Sequence, residues 1–147
     1  MIKRIPLKIE HVFELLENPD VNHGEDIKSL FTGPNVPPVD KMEDCYSIVD
    51  AYGQVLACCG LAYRWKDRAE AWTIFKPNMG AKLVAVARHF KEFLHSHPCK
   101  RIEVFMDPDF VKSHTWLTFL GFKLEAAVVS KFKDNKDYSL YALVKEN

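Results

Sequence analysis

The sequence has no surplus charge of either sign. Twenty Lys and Arg balance twenty Asp and Glu across 147 residues. Without a global field there is no electrostatic reason to expect nucleic acid or an anionic membrane as partner. A long apolar run is also missing, and nothing approaches the ~20 residues that a membrane span needs. The opening "MIKRIPLKIEHVFELL" is interrupted by charges and lacks an apolar signal core. No CxxC spacing links Cys45, Cys58, Cys59 and Cys99. Adjacent Cys58 and Cys59 would face opposite sides of a strand. All four therefore read as reduced structural thiols. His89, His95 and His97 lie near Cys99, but His95 and His97 are two apart and face differently on a helix. No second ligand pair has structural-zinc spacing, so no metal site is expected. Walker A, nucleophile-elbow and HExxH patterns are absent, as are repeats and low-complexity segments.

What is present is one ordinary domain's worth of chain, 1–147, with 48% hydrophobic residues to bury. "IKRIPL" suits a short strand with Pro6 at its end. "KIEHVFELLEN" carries Ile9, Val12, Phe13 and Leu16 at helical spacing. "GEDIKSLFTG" is a weaker helix, and "PNVPPVDKMED" a proline-rich loop of the length that often faces a partner. Two strands, "CYSIVDA" and "QVLACCGLAYRW", flank a turn at Tyr52 and Gly53. "EAWTIFK" is a third strand. "KLVAVARHFKEFLHSH" is amphipathic, with Leu83, Val86, Ala87, Phe90, Phe93 and Leu94 on its apolar face. "RIEVFM" has the continuous apolar character of a strand inside a sheet. "DPD" opens another helix, running to about Leu120. "KLEAAVVSKF" and "YSLYALVKE" close the chain as a hairpin around "KDNKD". The order β-α-α-β-β-β-α-β-α-β-β predicts an α+β fold with a mixed sheet flanked by helices. The residues expected in its core are Leu83, Phe90, Leu94, Val104, Leu117, Leu120 and Phe122.

The segment "FVKSHTWLTFLGFKLE" runs from a helix through Gly-Phe into a strand. Together with the element order, it resembles the GCN5-related N-acetyltransferase (GNAT) family across nearly the whole chain. A narrower resemblance is to small GNAT-like proteins of T7-like phages, the internal virion protein A type. These share a Ser-His near the start of this helix and a similar length.

The GNAT resemblance implies acetyl-CoA as cofactor and an amine of a small molecule or protein as acceptor. The cofactor would lie along Trp72, Ile74, Lys76, Asn78, Met79, Gly80, Ala81 and Lys82. Its diphosphate would meet backbone N–H groups at a helix start, which favour phosphate. The family pattern Gln/Arg-x-x-Gly-x-Gly/Ala is degenerate here, since "KPNMGAK" holds one glycine. A plain strand-to-helix turn fits the same residues. The family's usual tyrosine, four residues before the Gly-Phe glycine, is replaced by Leu117, which cannot transfer a proton. Ser113 and His114 are the nearby polar alternatives. Glu70 is the candidate base, with Glu103 second, although a solvated strand face would also explain both. Trp65, Trp72 and Trp116 read as packing anchors. Two functions stay open: an acetyl-CoA-dependent N-acetyltransferase, or a catalytically silent GNAT-fold binding or assembly protein. The first would sit in a cytoplasm; the second, if phage-encoded, in a host cytoplasm or a virion.

Overall fold

The computed structural model describes residues 1–18 and 44–146. The elements run β1 (Lys3–Pro6), α1 (Ile9–Leu16), β2 (Cys45–Val49), β3 (Val55–Trp65), β4 (Arg68–Phe75) and α2 (Lys82–Ser96). They continue with β5 (Arg101–Met106), α3 (Val111–Phe119), β6 (Lys123–Lys133) and β7 (Lys136–Val144). The seven strands form one mixed sheet in the order β1-β2-β3-β4-β5-β7-β6. The expected α+β class and mixed sheet are what the chain adopts, and β7 pairs on both sides instead of ending at an edge. The expected helix over 24–33 and all but the last residue of the proline-rich loop over 34–44 lie outside the described residues. Two compact units divide the chain: Met1–Leu61 with Trp72–Phe90, and Ala62–Ala71 with Lys91–Asn147.

In the first unit, β1 pairs antiparallel with β2, and β2 with β3. Pro6 closes β1 on the sheet's edge, where a missing N–H costs no ladder bond. Helix α1 has only two turns and apolar residues on most sides. Its buried residues are Val12 and Leu15, whereas Phe13 is 37% exposed. The stripe is thus rotated from the expected one. Gly60 is needed for packing: a Cβ there would lie 2.4 Å from Cys45 Sγ and 3.0 Å from Trp72 Cε2. In this unit's part of α2, Val86, Ala87 and Phe90 are buried. Leu83 was expected in the core but is exposed, because the whole first turn, with Lys82 and Val84, stands open to solvent.

In the second unit, β5 pairs parallel with β4 over three residues, Arg68 with Arg101 through Glu70 with Glu103. On its other side β5 pairs antiparallel with β7 along its length. Ile102 and Glu103 are buried, but Val104 is only half-buried, contrary to expectation. It lies just past the last residue covered by the parallel pairing. Leu94, Leu117, Leu120 and Phe122 are buried as expected. Each such side chain contributes about 1.5–3 kcal/mol by leaving water. Lys145, after β7, donates through Nζ to the carbonyls of Leu94 and His97 and so caps the end of α2.

Helix α3 shows why Gly-Phe ends it. Gly121 has φ +99°, a backbone state that favours glycine. Its N–H donates to Thr118 O (3.0 Å), and the Phe122 N–H donates to Leu117 O (3.0 Å). This double closure is a Schellman motif, with Leu117 and Phe122 supplying its apolar contact positions. His95 Nε2 donates to Leu120 O at 2.8 Å, completing the cap.

Candidate functional site

The candidate cofactor turn lies in the first unit, between β4 and α2. Lys76 N–H donates to Leu56 O (2.8 Å), pinning the turn's start to β3. Asn78 and Gly80 both have φ of 60°. The N–H groups of Lys82 and Leu83 donate to Met79 O and Gly80 O, which starts the helix. No hydrogen bond among the described residues uses the N–H groups of Gly80 and Ala81. A Cβ built on Gly80 would meet nothing within 4 Å. Asn78, Gly80, Ala81 and Lys82 are exposed, and Met79 is half-buried. The turn therefore offers exposed donors with no partner among the described residues, with Lys76 and Lys82 at either end. This donor set fits a diphosphate.

The other cofactor candidates behave differently. Trp72 and Ile74 are 7% and 2% exposed, so their side chains are core. Only their backbone remains for a ligand. The Lys82 ammonium lies 4.0 Å from Asp50 Oδ2. Sequence reasoning missed Asp50, although "VDAYG" carries an Asx-turn signal. Asp50 Oδ1 accepts from the N–H groups of Tyr52 (2.9 Å) and Gln54 (3.0 Å). Burial would raise its pKa, but those two donors and the charges of Lys82 and Lys76 outweigh it and hold the carboxyl below its ordinary value.

The catalytic candidates all lie in the second unit. On α3, His114 has both ring nitrogens engaged. Nε2 faces the Asp107 carbonyl at 3.0 Å and must donate to it. In neutral His114, Nδ1 then accepts from the Tyr141 hydroxyl at 2.6 Å. Tyr141 is 5% exposed. The pair joins residues 27 apart in sequence, which no local pattern signals. Ser113 is half-buried, and no hydrogen bond links it to His114. Leu117, in the usual tyrosine slot, is 4% exposed and packed into the helix stop.

Glu70 pairs through Oε2 with Arg64 Nη2, and its side chain is 29% exposed. Glu103 is not on a solvated face. Its side chain is 4% exposed, and its two oxygens accept from Arg68 Nε (2.9 Å) and Arg101 Nε (2.7 Å). Arg101 continues to Glu125 with two further bonds, which hold the Glu125 carboxyl below its ordinary value. Both Glu103 oxygens are thus held by guanidinium groups inside the sheet, which is a packing role.

The histidines and cysteines are similarly engaged. His97 Nδ1 accepts from the Cys99 N–H at 3.0 Å. Burial pushes the Cys45 thiol up to about 11 and the Cys58 thiol up to about 12. These are inert packing groups at neutral pH. Among the described residues no three His, Cys, Asp or Glu side chains are grouped to hold a metal ion. No described helix is long and apolar enough to cross a membrane.

No protein-family profile matches the sequence. Nor does any curated protein match it by sequence. Solved structures do match by fold. An acetyltransferase of the GNAT family from Bacillus anthracis superposes with a TM-score of 0.66 at 17% identity, covering 99% of this chain and 96% of that one. A spermidine N-acetyltransferase chimera of Vibrio cholerae SpeG and hSSAT gives 0.68 at 12% identity, covering 97% and 95%. The fold is thus that of the GNAT acetyltransferases.

Proposed function

We propose that the chain is an acetyl-CoA-dependent N-acetyltransferase acting on an amine of a small molecule or a protein. The observation that carries this reading is the turn at 76–82, where the N–H groups of Gly80 and Ala81 have no hydrogen-bond partner among the described residues and a Cβ on Gly80 would meet nothing within 4 Å. Bound there by its diphosphate, acetyl-CoA supplies an activated acetyl thioester. Transfer makes a C–N bond and breaks a C–S bond; the amine loses one proton and the thiolate gains one.

Glu70 is the proposed base. Its Oε1 is unused by Arg64 and takes the amine proton through a water. His114 and Tyr141 are the proposed acid, in place of the tyrosine that Leu117 replaces. Cationic His114 donates Nδ1–H to Tyr141 Oη while Nε2–H stays on the Asp107 carbonyl. The phenolic proton is then free for the thiolate. The phenol oxygen recovers a proton from Nδ1, and His114 ends neutral. Ser113 keeps at most a supporting place beside this pair.

One observation favours the silent binding or assembly protein: Leu117 is core and leaves no proton donor at the usual slot. Acetyl transfer to a panel of amines separates the two readings. The enzyme reading expects turnover, lowered about 10²-fold by each of Glu70→Gln, His114→Gln and Tyr141→Phe. Full activity in the last two variants would remove the proposed acid. No turnover in any protein, with no heat on adding coenzyme A, would establish the scaffold.

A further inference from the structure

A second feature of the first unit shares Lys82 with the proposed cofactor turn but is otherwise separate from it. A cleft of about 550 Å³ is lined by Ile2, Asp50, Tyr52, Lys82, Ala85 and His89, among others. Its volume falls within the ~300–1,000 Å³ of small-ligand sites. Lys82, Ala85 and His89 recur at helical spacing, so one face of α2 forms a wall. Met1 and Ile2 add apolar surface.

Two charges stand in this cleft in an unusual state. Asp50 is 7% exposed, and its orientation is fixed because Oδ1 accepts two backbone N–H bonds from its own turn. Among the described residues no hydrogen bond reaches Oδ2, and its ion-pair partner is Lys82 Nζ at 4.0 Å. That separation is too long for a charge-assisted hydrogen bond, which closes to about 2.7–2.9 Å. Lys82 in turn is 57% exposed at its side chain. A buried anion and an accessible cation are thus held side by side with hydrogen-bonding capacity to spare on both.

From this geometry we infer that the cleft binds a zwitterion of the α-amino acid type. The ligand ammonium donates to Asp50 Oδ2, and the ligand carboxylate accepts from Lys82 Nζ. The four charges then alternate around a closed ring, and the 4.0 Å gap is the side that the ligand bridges. A simple cation would instead compete with Lys82 for Asp50, and a simple anion would compete with Asp50 for Lys82. A ligand carrying both signs on neighbouring atoms pairs with both groups at once. The apolar surface of Ile2 and Ala85 suits an aliphatic side chain.

The test is calorimetry without acetyl-CoA, which keeps it independent of the acetyltransferase reading. The probes are L-leucine, leucinamide (no carboxylate) and 4-methylpentanoate (no ammonium). Asp50→Asn is the informative variant, because its amide oxygen still accepts from Tyr52 and Gln54 and only the charge is lost. L-leucine should bind the wild type on the order of 10- to 100-fold more tightly than either analogue, which is the worth of one charged hydrogen bond. Asp50→Asn and Lys82→Met should each lose a similar factor while keeping the wild-type circular dichroism. Equal binding of leucinamide, unchanged binding in Asp50→Asn, or no heat from L-leucine would each overturn the inference.

Discussion

Leu117 decides how the catalytic question must be put. It supplies the carbonyl and the apolar contact that close the helix stop before Gly121, and it is 4% exposed. A tyrosine there would have to fit into packed core. Leu117→Tyr should therefore destabilise the protein by about 1–3 kcal/mol, read as a lower denaturation midpoint, without any gain in turnover. Glu103 is also a packing matter. Glu103→Gln would leave Arg68 and Arg101 beside a neutral group, and breaking such a buried pair costs about 3 kcal/mol. Urea denaturation would measure the loss, and an unchanged midpoint would refute the structural role. Asp50 gives a pH signature. Its folded pKa is lowered from 3.8, so its contribution is complete above that value and is lost as pH falls through the folded pKa. Asp50→Asn should flatten the acid limb of stability below about pH 4 by lowering the neutral plateau, where the contribution of the charged carboxylate is fully present.

At the scale of elements, the helix stop, the strand periodicities and the closing hairpin were legible because they are local. Gly-Phe after an apolar helix predicts a Schellman cap, and "KDNKD" predicts a tight turn; Asp134 and Asn135 both have positive φ. Gly121→Ala would combine strain at φ +99° with a Cβ 2.7 Å from His95 Nε2. It should lower stability by about 1–3 kcal/mol and leave coenzyme A affinity unchanged, as thermal melts and calorimetry would show. The buried stripe of α1 was not legible, because an eight-residue helix with apolar residues on most sides admits several faces. Nor was the irregularity of β6, whose register against β7 shifts three times. Bulges and the lysines at 123, 131 and 133 blunt this edge against pairing with another chain.

Across the whole molecule, element order led to the mixed sheet and, together with the Gly-Phe segment, to the resemblance. The site was only partly legible. The turn at 76–82 could be located, yet its sequence could not say whether its N–H groups were spent on the turn itself. The pairing of His114 with Tyr141, and the arginine clamp on Glu103, depend on strands brought together by a parallel crossover and a hairpin. Tertiary register of that kind leaves no mark in a short window. The account's central claim is that the turn holds coenzyme A through its backbone. Calorimetric titration of acetyl-CoA into wild type and Gly80→Val tests it most directly. Valine at φ +60° would strain the turn, although its Cβ would meet nothing within 4 Å. The account predicts binding by the wild type and none by Gly80→Val at matched circular dichroism. Equal affinity in the two proteins would contradict it.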